Sequence, residues 1–167
     1  MSKLVEQIAE LLQRQGQLLA CAESCTGGLI SKTLTDLPGS SAWFERGLVT
    51  YSNLSKIQLL GISQTVVALH GAVSDKTVRA MGEGLIRHTP ADWGIAVSGV
   101  AGPGGGTRDK PVGTVWIGWS RRVPGRGGLA EVPVDVQHFL FDGDREQIRR
   151  KALRAALTGL LKRLTDA

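Results

Sequence analysis

The stretch that decides the fold joins an apolar segment to two glycines through small polar residues: Cys21-Ala22-Glu23-Ser24-Cys25-Thr26-Gly27-Gly28-Leu29-Ile30. The apolar run over residues 17–22 predicts a short buried strand, and the apolar pattern resumes at helical spacing over residues 29–35. Such a strand–turn–helix joint places hydroxyl and thiol side chains at a helix N-terminus, where unpaired backbone N–H groups favour an anion or a developing oxyanion. We therefore take this joint as the first candidate for a functional site.

Apolar periodicity outside the joint predicts further helices and strands in alternation. Helical spacing covers residues 3–14, 53–60, 65–69, 78–86 and 145–164, and Ser63 and Ser74 stand as N-caps before two of these helices. Short apolar or alternating runs predict strands at 43–52, 93–98, 112–120 and 131–141. Strands alternate with helices early and follow one another later, which predicts a three-layer α/β/α fold on a mixed sheet, with residues 1–167 as a single domain.

Three loops follow the predicted carboxyl ends of strands, where open α/β sheets usually hold ligands: 23–28, 51–56 and 98–107. Each loop is rich in hydroxyl groups or glycine, and none contains a histidine or a pair of carboxylates. A nucleophile in these loops must therefore be Ser, Thr or Cys, and the amine of Lys56 is the best candidate for its base. The glycine-rich segment 102–106 matches neither GxxxxGK[ST] nor GxGxxG, so it is a weak signal by itself.

The candidates in these loops also have purely structural interpretations. Lys56 can act as a base only as the neutral amine, which requires burial to lower its pKa, and its spacing alone favours an exposed lysine on a short helix. Ser24 fits the N-cap of the following helix as well as it fits a nucleophile. The Cys25 thiol at a helix N-terminus is a rival nucleophile, ranked second because no histidine stands near it in the sequence.

The formal net charge of +5, from 20 basic and 15 acidic residues, invites a nucleic-acid interpretation that the charge distribution does not favour. Much of the excess lies in a Gly- and Pro-rich turn at 121–126 and on the C-terminal helix, opposite leucine and alanine, at Arg149, Arg150, Lys151, Arg154, Lys162 and Arg163. We interpret that helix surface as a solvated basic face and expect no nucleic-acid partner. The same sign of charge suits a small phosphorylated substrate.

Cysteine and histidine usage narrows the class of protein. Two cysteines spaced CxxxC and three scattered histidines predict neither a disulfide framework nor a metal site. No apolar run approaches the roughly 20 residues of a membrane span. Residues 1–10 show an amphipathic helix pattern rather than a signal peptide. We therefore expect no metal, no membrane partner and a cytoplasmic location.

Six sequence blocks carry a resemblance to a known family, in collinear order over residues 5–160. The blocks are AESCTGG (22–28), GSSAWFERG (39–47), VTYSN (49–53), HGAVS (70–74), SGVAGP (98–103) and KPVGTV (110–115). Together they resemble the CinA C-terminal family, whose stand-alone members are nicotinamide-nucleotide amidases. The resemblance implies hydrolysis of the carboxamide of nicotinamide mononucleotide (NMN) to nicotinate mononucleotide and ammonia, by a serine and a lysine without metal or cofactor.

The resemblance also implies roles for particular residues. Ser24 would be the nucleophile, Lys56 its base and Tyr51 an auxiliary polar group. Backbone N–H groups around residues 25–27 would hold the oxyanion, and Arg145 or the segment 102–106 would anchor the phosphate. The candidate substrate-binding residues are Glu23, Cys25, Thr26, Gly27, Gly28, Ser98, Gly99, Gly102 and Arg145.

Three alternatives stay open at this point. A nucleotide-binding or regulatory module would bind NMN without turnover, and an amidase for a related amide would use the same residues. A basic nucleic-acid-associated domain would instead show salt-sensitive DNA binding.

A homodimer is expected from the apolar strands and the habit of the family. The segments 104–108 and 121–128 receive no role.

Overall fold

Helices and strands follow one another along the chain in the order that the apolar pattern predicts. The computed structural model describes residues 1–125 and 131–167, so Arg126 and the end of the predicted basic turn lie outside the described residues. The elements in chain order are α1 (Ser2–Gln15), β1 (Leu19–Glu23), α2 (Leu29–Thr35), a short 3-10 turn (Ser40–Ala42), β2 (Phe44–Val49), α3 (Asn53–Leu60), α4 (Gln64–His70), α5 (Asp75–Arg87), β3 (Trp93–Gly99), β4 (Thr114–Arg121), β5 (Val134–Leu140) and α6 (Arg145–Thr165). Among the helices so described, none is long and apolar enough to cross a membrane.

The described strands form one five-stranded mixed sheet in the order β2-β1-β3-β4-β5. Strands β2, β1 and β3 run parallel, so that Glu23 of β1 lies opposite Val49 of β2 and Val97 of β3. Strand β4 runs antiparallel to both of its neighbours, β3 and β5. Because parallel strands end at the same edge of a sheet, the loops that follow β1, β2 and β3 meet there, as predicted.

Helices cover both faces of this sheet. On one face α1, α2 and α6 pack in an apolar cluster that contains Ile30 and Leu157, and on the other face α3, α4 and α5 pack in a second cluster around Leu60 and Met81. The prediction of a three-layer α/β/α fold on a mixed sheet is thereby confirmed. The assignment of all 167 residues to one domain stays a prediction.

Hydroxyl and carboxylate caps set the start of several helices. The side chain of Ser63 accepts a hydrogen bond from the Thr65 N–H, and that of Ser74 accepts one from the Thr77 N–H, which confirms both predicted N-caps. Helix α6 begins with a reciprocal capping box between Asp144 and Gln147. These caps fix where α6 starts, and so where its first-turn side chains stand relative to the sheet edge.

The packing of α3 on α5 fixes the position of the helix that carries Lys56. Gly84 of α5 faces the carbonyl group of Leu60 at the end of α3, and a Cβ atom at position 84 would overlap that oxygen. Because the obstacle is backbone rather than a flexible side chain, α3 itself would have to shift. Glycine at this position therefore allows the close approach of the two helices.

We expect Gly84→Ala to lower the free energy of unfolding by about 2 kcal/mol. Overpacking costs about 3 kcal/mol of folding free energy, and the higher helix propensity of alanine offsets about 1 kcal/mol of it. Urea unfolding followed by circular dichroism measures the difference. Gly104→Ala is the control, because a Cβ there meets no heavy atom within 4 Å. Equal unfolding free energies in the two variants would contradict the contact between α3 and α5.

Candidate active site

Ser24 stands at the carboxyl end of β1, in the middle of the parallel part of the sheet. Its N–H donates to the Val97 carbonyl at 3.0 Å, so the pairing with β3 continues to this residue. The chain then turns away through Gly27 and Gly28, whose φ angles of 58° and 91° lie in the left-handed region that favours glycine. The turn leaves the Ser24 side chain at the sheet edge, 9% exposed.

Lys56 reaches Ser24 from α3, 32 positions further along the chain. Its Nζ lies 3.2 Å from Ser24 Oγ and donates to the carbonyl of Thr50 at 2.8 Å and, more weakly, to that of Tyr51 at 3.4 Å. The residue is 1% exposed. The interpretation of Lys56 as an exposed surface lysine, which its spacing favours, is therefore wrong.

Burial lowers the pKa of Lys56 below the ordinary lysine value. A desolvated ammonium group loses the hydration that stabilises its charge, and the nearby backbone carbonyls replace only part of it. The neutral amine is therefore present at a lower pH than in an exposed lysine. A neutral amine 3.2 Å from a serine hydroxyl has the geometry that proton abstraction requires.

The Cys25 thiol stays protonated near neutral pH, which makes it a poor candidate for the nucleophile. Burial raises the pKa of this thiol to about 11, so the thiolate that would attack a substrate is scarce near neutral pH. The expected effect of the helix N-terminus, a lowered pKa, is outweighed by the loss of solvent. The structure thus places the Lys56 amine within hydrogen-bond distance of Ser24 Oγ.

The N-terminus of α2 is occupied by a carboxylate of the chain itself. Glu23 is fully buried and accepts hydrogen bonds from the N–H groups of Gly28, Ile30 and Ser31, and also from the Ser31 hydroxyl. Ser24 makes no capping bond, since the N-cap position is Gly28. The Glu23 carboxylate thus fills the helix N-terminus at which the sequence predicts an external anion, and the N-cap interpretation of Ser24 is wrong. The substrate-binding role of Glu23 stays a prediction.

Two backbone N–H groups beside Ser24 are left for a substrate. The Gly27 N–H donates to the Ser24 carbonyl at 3.0 Å, whereas neither the Cys25 nor the Thr26 N–H donates to another residue in the part of the chain that the structure describes. The N–H that follows a nucleophile is a common component of oxyanion holes. Of the predicted donors at 25–27, the first two are therefore free to bind an oxyanion.

Arg145 joins the two other loops at the mouth of the site. Its guanidinium donates to the Gly102 carbonyl at 2.7 Å and to the Tyr51 hydroxyl at 3.1 Å. Tyr51 is 60% exposed, and its backbone carbonyl rather than its ring contacts Lys56. Tyr51, Gly102 and Arg145 therefore form a rim around the site and stand outside the Ser24–Lys56 contact.

Ser98 and Gly99 hold neighbouring backbone segments. The buried Ser98 hydroxyl donates to the Ala72 carbonyl at 2.8 Å, which ties the loop between α4 and α5 to the end of β3. A Cβ at Gly99 would crowd the Thr114 carbonyl at the start of β4. The Ser98 hydroxyl and the lack of a side chain at Gly99 thus serve the packing of the loops, and the substrate-binding role of both residues stays a prediction.

Arg149 is the site residue that sequence reasoning missed. The sequence predicts a place on the solvated basic face of the last helix, yet Arg149 Nη2 donates to the Thr26 carbonyl at 2.7 Å. The signal was its position four residues after Arg145, which places both guanidinium groups on the same side of α6. Two arginines of α6 therefore reach the loops that carry or flank Ser24.

Other features of the described residues lie away from Ser24. A cavity of about 990 Å³ between α1, α2 and α6 is lined by neither Ser24 nor Lys56. Within the described ranges, no three His, Cys, Asp or Glu residues come together in a geometry that could hold a metal ion.

Comparisons with known proteins extend over nearly the whole chain. The CinA C-terminal domain family matches residues 1–164. A protein of Escherichia coli (strain K12) named nicotinamide-nucleotide amidohydrolase PncC is 44% identical over 159 residues, which cover 95% of this chain and 91% of that protein. A protein of the same name from Pseudomonas putida is 46% identical over 163 residues, covering 98% and 96%.

A solved structure shows the same fold. The competence damage-inducible protein A (ComA) from Klebsiella pneumoniae subsp. pneumoniae MGH 78578 superposes with a TM-score of 0.88 at 36% identity, covering 98% of this chain and 96% of that chain. The similarity therefore includes the layers of the fold as well as the loops at the sheet edge.

Proposed function

The chain belongs to the CinA C-terminal domain family, and on that premise we propose that it is an amidohydrolase of NMN. The reaction converts the carboxamide to a carboxylate, giving nicotinate mononucleotide and ammonia. Two relatives that align with more than nine tenths of this chain carry the name nicotinamide-nucleotide amidohydrolase. The single observation that carries the proposal is the buried contact of 3.2 Å between Lys56 Nζ and Ser24 Oγ.

The hydrogen bonds of Lys56 match those of a general base. A neutral amine has two N–H donors and one lone pair, whereas an ammonium group has three donors and no lone pair. Two carbonyl groups, from Thr50 and Tyr51, lie within reach of the two donors. In the neutral amine the lone pair then faces the hydroxyl of Ser24, whereas the ammonium form donates its third N–H to Ser24 Oγ.

The proposed reaction runs through an acyl-enzyme. Ser24 Oγ attacks the amide carbon as its proton passes to Lys56 Nζ, and the carbonyl oxygen takes the negative charge. The Cys25 and Thr26 N–H groups donate to this oxyanion, a contribution worth about 10²–10³ in rate for each donor. The carbon–nitrogen bond breaks as Lys56 protonates the departing ammonia. Water then attacks the ester by the same steps and frees nicotinate mononucleotide.

The phosphate of NMN binds at the rim in this proposal. Two of the five N–H donors of Arg145 are used by Gly102 and Tyr51, so the exposed guanidinium keeps donors for a phosphate oxygen. Its two protein contacts also limit the rotamers that it can adopt, which reduces the entropy lost on binding. The phosphate then contributes affinity while the amide reacts at Ser24.

The decisive experiment measures ammonia release by the full chain from NMN, nicotinamide riboside and nicotinamide. We expect turnover of NMN and at least a tenfold lower kcat/KM for the riboside, since about 1.4 kcal/mol or more is lost with the phosphate. Ser24→Ala protein prepared in the same way controls for a contaminating hydrolase. Binding of NMN without ammonia release would identify a non-catalytic module, and faster hydrolysis of a different amide would identify another substrate.

A further inference from the structure

Arg149 stands at one end of a row of hydrogen bonds that leads to the candidate oxyanion hole. Its guanidinium donates to the Thr26 carbonyl, and the next peptide groups continue the row to the N–H of Cys25, which donates to no other residue within 1–125 and 131–167. We propose that Arg149 is a positioning residue whose positive charge acts through two peptide groups to orient and strengthen the Cys25 N–H as an oxyanion donor. This role rests on the proposed function.

The row consists of two hydrogen bonds that share peptide groups. Arg149 Nη2 donates to the Thr26 carbonyl at 2.7 Å, and the Gly27 N–H of that same peptide donates to the Ser24 carbonyl at 3.0 Å. The Ser24 carbonyl in turn belongs to the peptide that ends in the Cys25 N–H. These peptides are trans, so the carbonyl and N–H of each point in opposite directions. The dipoles therefore align from the guanidinium to the Cys25 N–H.

Aligned hydrogen bonds of this kind polarise one another. A positive charge at the carbonyl end draws electrons toward itself, which makes each following N–H a stronger donor. The last N–H of the row is next to Ser24 Oγ, where the negative charge of a tetrahedral intermediate develops. The charge of Arg149 thereby favours the transition state over the neutral substrate, which is the condition for a rate effect.

The surroundings of Arg149 favour a strong electrostatic effect. Its Nε is buried and has no hydrogen-bond partner among the described residues. The guanidinium also lies against the turn, since Arg149 Nη2 is 3.5 Å from the place that a Cβ at position 27 would take, an ordinary van der Waals distance. A partly desolvated charge interacts more strongly with nearby dipoles than an exposed one does.

Four variants test the proposal: Arg149→Met removes the charge, Arg149→Gln keeps a neutral donor, Arg149→Lys keeps a cation, and Arg150→Met is the matched control. Arg150 is the next residue of α6, exposed and paired with Glu146. For Arg149→Met we expect kcat to fall about tenfold with KM for NMN within about twofold, less than the 10²–10³ of losing an oxyanion donor outright. Arg149→Lys should keep a higher kcat than Arg149→Met, whereas Arg149→Gln should be as slow as Arg149→Met. Arg150→Met should have the kcat of the wild type.

A second readout separates transition-state stabilisation from general damage to the site. The aldehyde analogue of NMN can add Ser24 Oγ to its carbonyl carbon, forming a hemiacetal oxygen at the oxyanion position. Its affinity should weaken in Arg149→Met by the same factor as kcat, whereas the affinity for nicotinate mononucleotide stays unchanged.

Each remaining outcome overturns the proposal. A wild-type kcat in Arg149→Met would exclude a role for the charge. So would a kcat in Arg149→Gln as high as that in Arg149→Lys. Equal losses of affinity for the aldehyde and for the product would show a collapsed site instead. Should Arg149→Met fail to fold, the comparison of kcat between Arg149→Lys and Arg149→Gln decides, and equal values overturn the proposal. A wild type that releases no ammonia refutes the proposed function, whereas an active wild type with an unaffected Arg149→Met refutes only this inference.

Discussion

Ser24→Ala is expected to lower kcat for ammonia release from NMN by about 10⁴-fold or more, as removal of a serine nucleophile does in other hydrolases. The alanine keeps the backbone of the turn, where the Ser24 N–H and carbonyl are both hydrogen-bonded, but has no hydroxyl to attack the amide. Kinetics with coupled detection of ammonia measure the loss. Far-ultraviolet circular dichroism and the unfolding midpoint should match the wild type, because the hydroxyl makes a single hydrogen bond among the described residues, that with Lys56.

Cys25→Ala is the matched control for this prediction. The protonated thiol contributes packing but no nucleophile, so most of the activity should persist. Two results would contradict the assignment of Ser24. Full activity in Ser24→Ala together with its loss in Cys25→Ala would give the role of nucleophile to the thiol. Full activity in both variants would indicate direct attack by water.

Lys56→Met is expected to reduce kcat by about 10³-fold, within the range that general acid–base catalysis contributes. The methionine occupies the buried channel of the lysine stem without an amine, so Ser24 loses its proton acceptor and ammonia loses its proton donor. Lys56→Arg is the informative comparison, because the guanidinium stays charged at every accessible pH and cannot act as a base. Activity in Lys56→Arg near that of wild type would contradict the role of Lys56.

The pH profile of the wild type provides a second test of Lys56. The values of kcat/KM should rise with pH as the amine loses its proton, with a midpoint below the ordinary lysine value of about 10.4. The same lowered pKa has a consequence for stability. Between the pKa of Lys56 in the folded chain and its value in the unfolded chain, the unfolded state binds more protons, so the unfolding free energy should rise with pH.

Lys56→Met should lack both pH effects. Its residual activity and its unfolding free energy are expected to follow only the other titrating groups of the chain. A wild-type profile with its midpoint at the ordinary lysine value, or one that Lys56→Met reproduces, would show that this amine is not the base.

Local pattern was sufficient for the strand–turn–helix joint and for the caps. Glycines with positive φ, serine caps and apolar spacing act over a few residues, so the joint at 21–30 and the start of α5 after Ser74 follow from neighbours in the chain. The three loops at one sheet edge follow from the parallel order of β1, β2 and β3. These features are local, or require only the general rules of α/β topology.

The burial of Lys56 could not be predicted from its neighbours. On α3 the charged residue is 1% exposed, while Leu54 and Leu59 are 60% and 45% exposed, the reverse of an ordinary amphipathic helix. The cause is tertiary, since α3 packs on α5 and Lys56 reaches Ser24 beyond β1 and the two carbonyl groups that follow β2. Hydrophobic periodicity alone therefore predicts the wrong buried face for α3.

The contacts of the Glu23 carboxylate and the Arg149 guanidinium likewise could not be predicted from their sequence neighbours. The carboxylate turns back from a strand to bind N–H groups five to eight residues later, and the guanidinium binds a carbonyl 123 residues away. Sequence analysis places the first near the site and the second on a solvated face. Only the folded chain shows that Glu23 occupies the helix N-terminus and that Arg149 reaches the loop.

The position of α6 has a consequence for synthesis on the ribosome. Ser24 and Lys56 emerge early, but the arginines that hold Thr26, Gly102 and Tyr51 are added only with the last helix, which also packs against α1. A nascent or prematurely terminated chain that stops before residue 145 carries the reactive hydroxyl and amine without either guanidinium. Under the proposed function, we expect such a shortened chain to release ammonia from NMN more slowly than the full chain, because neither guanidinium is present to hold its loop.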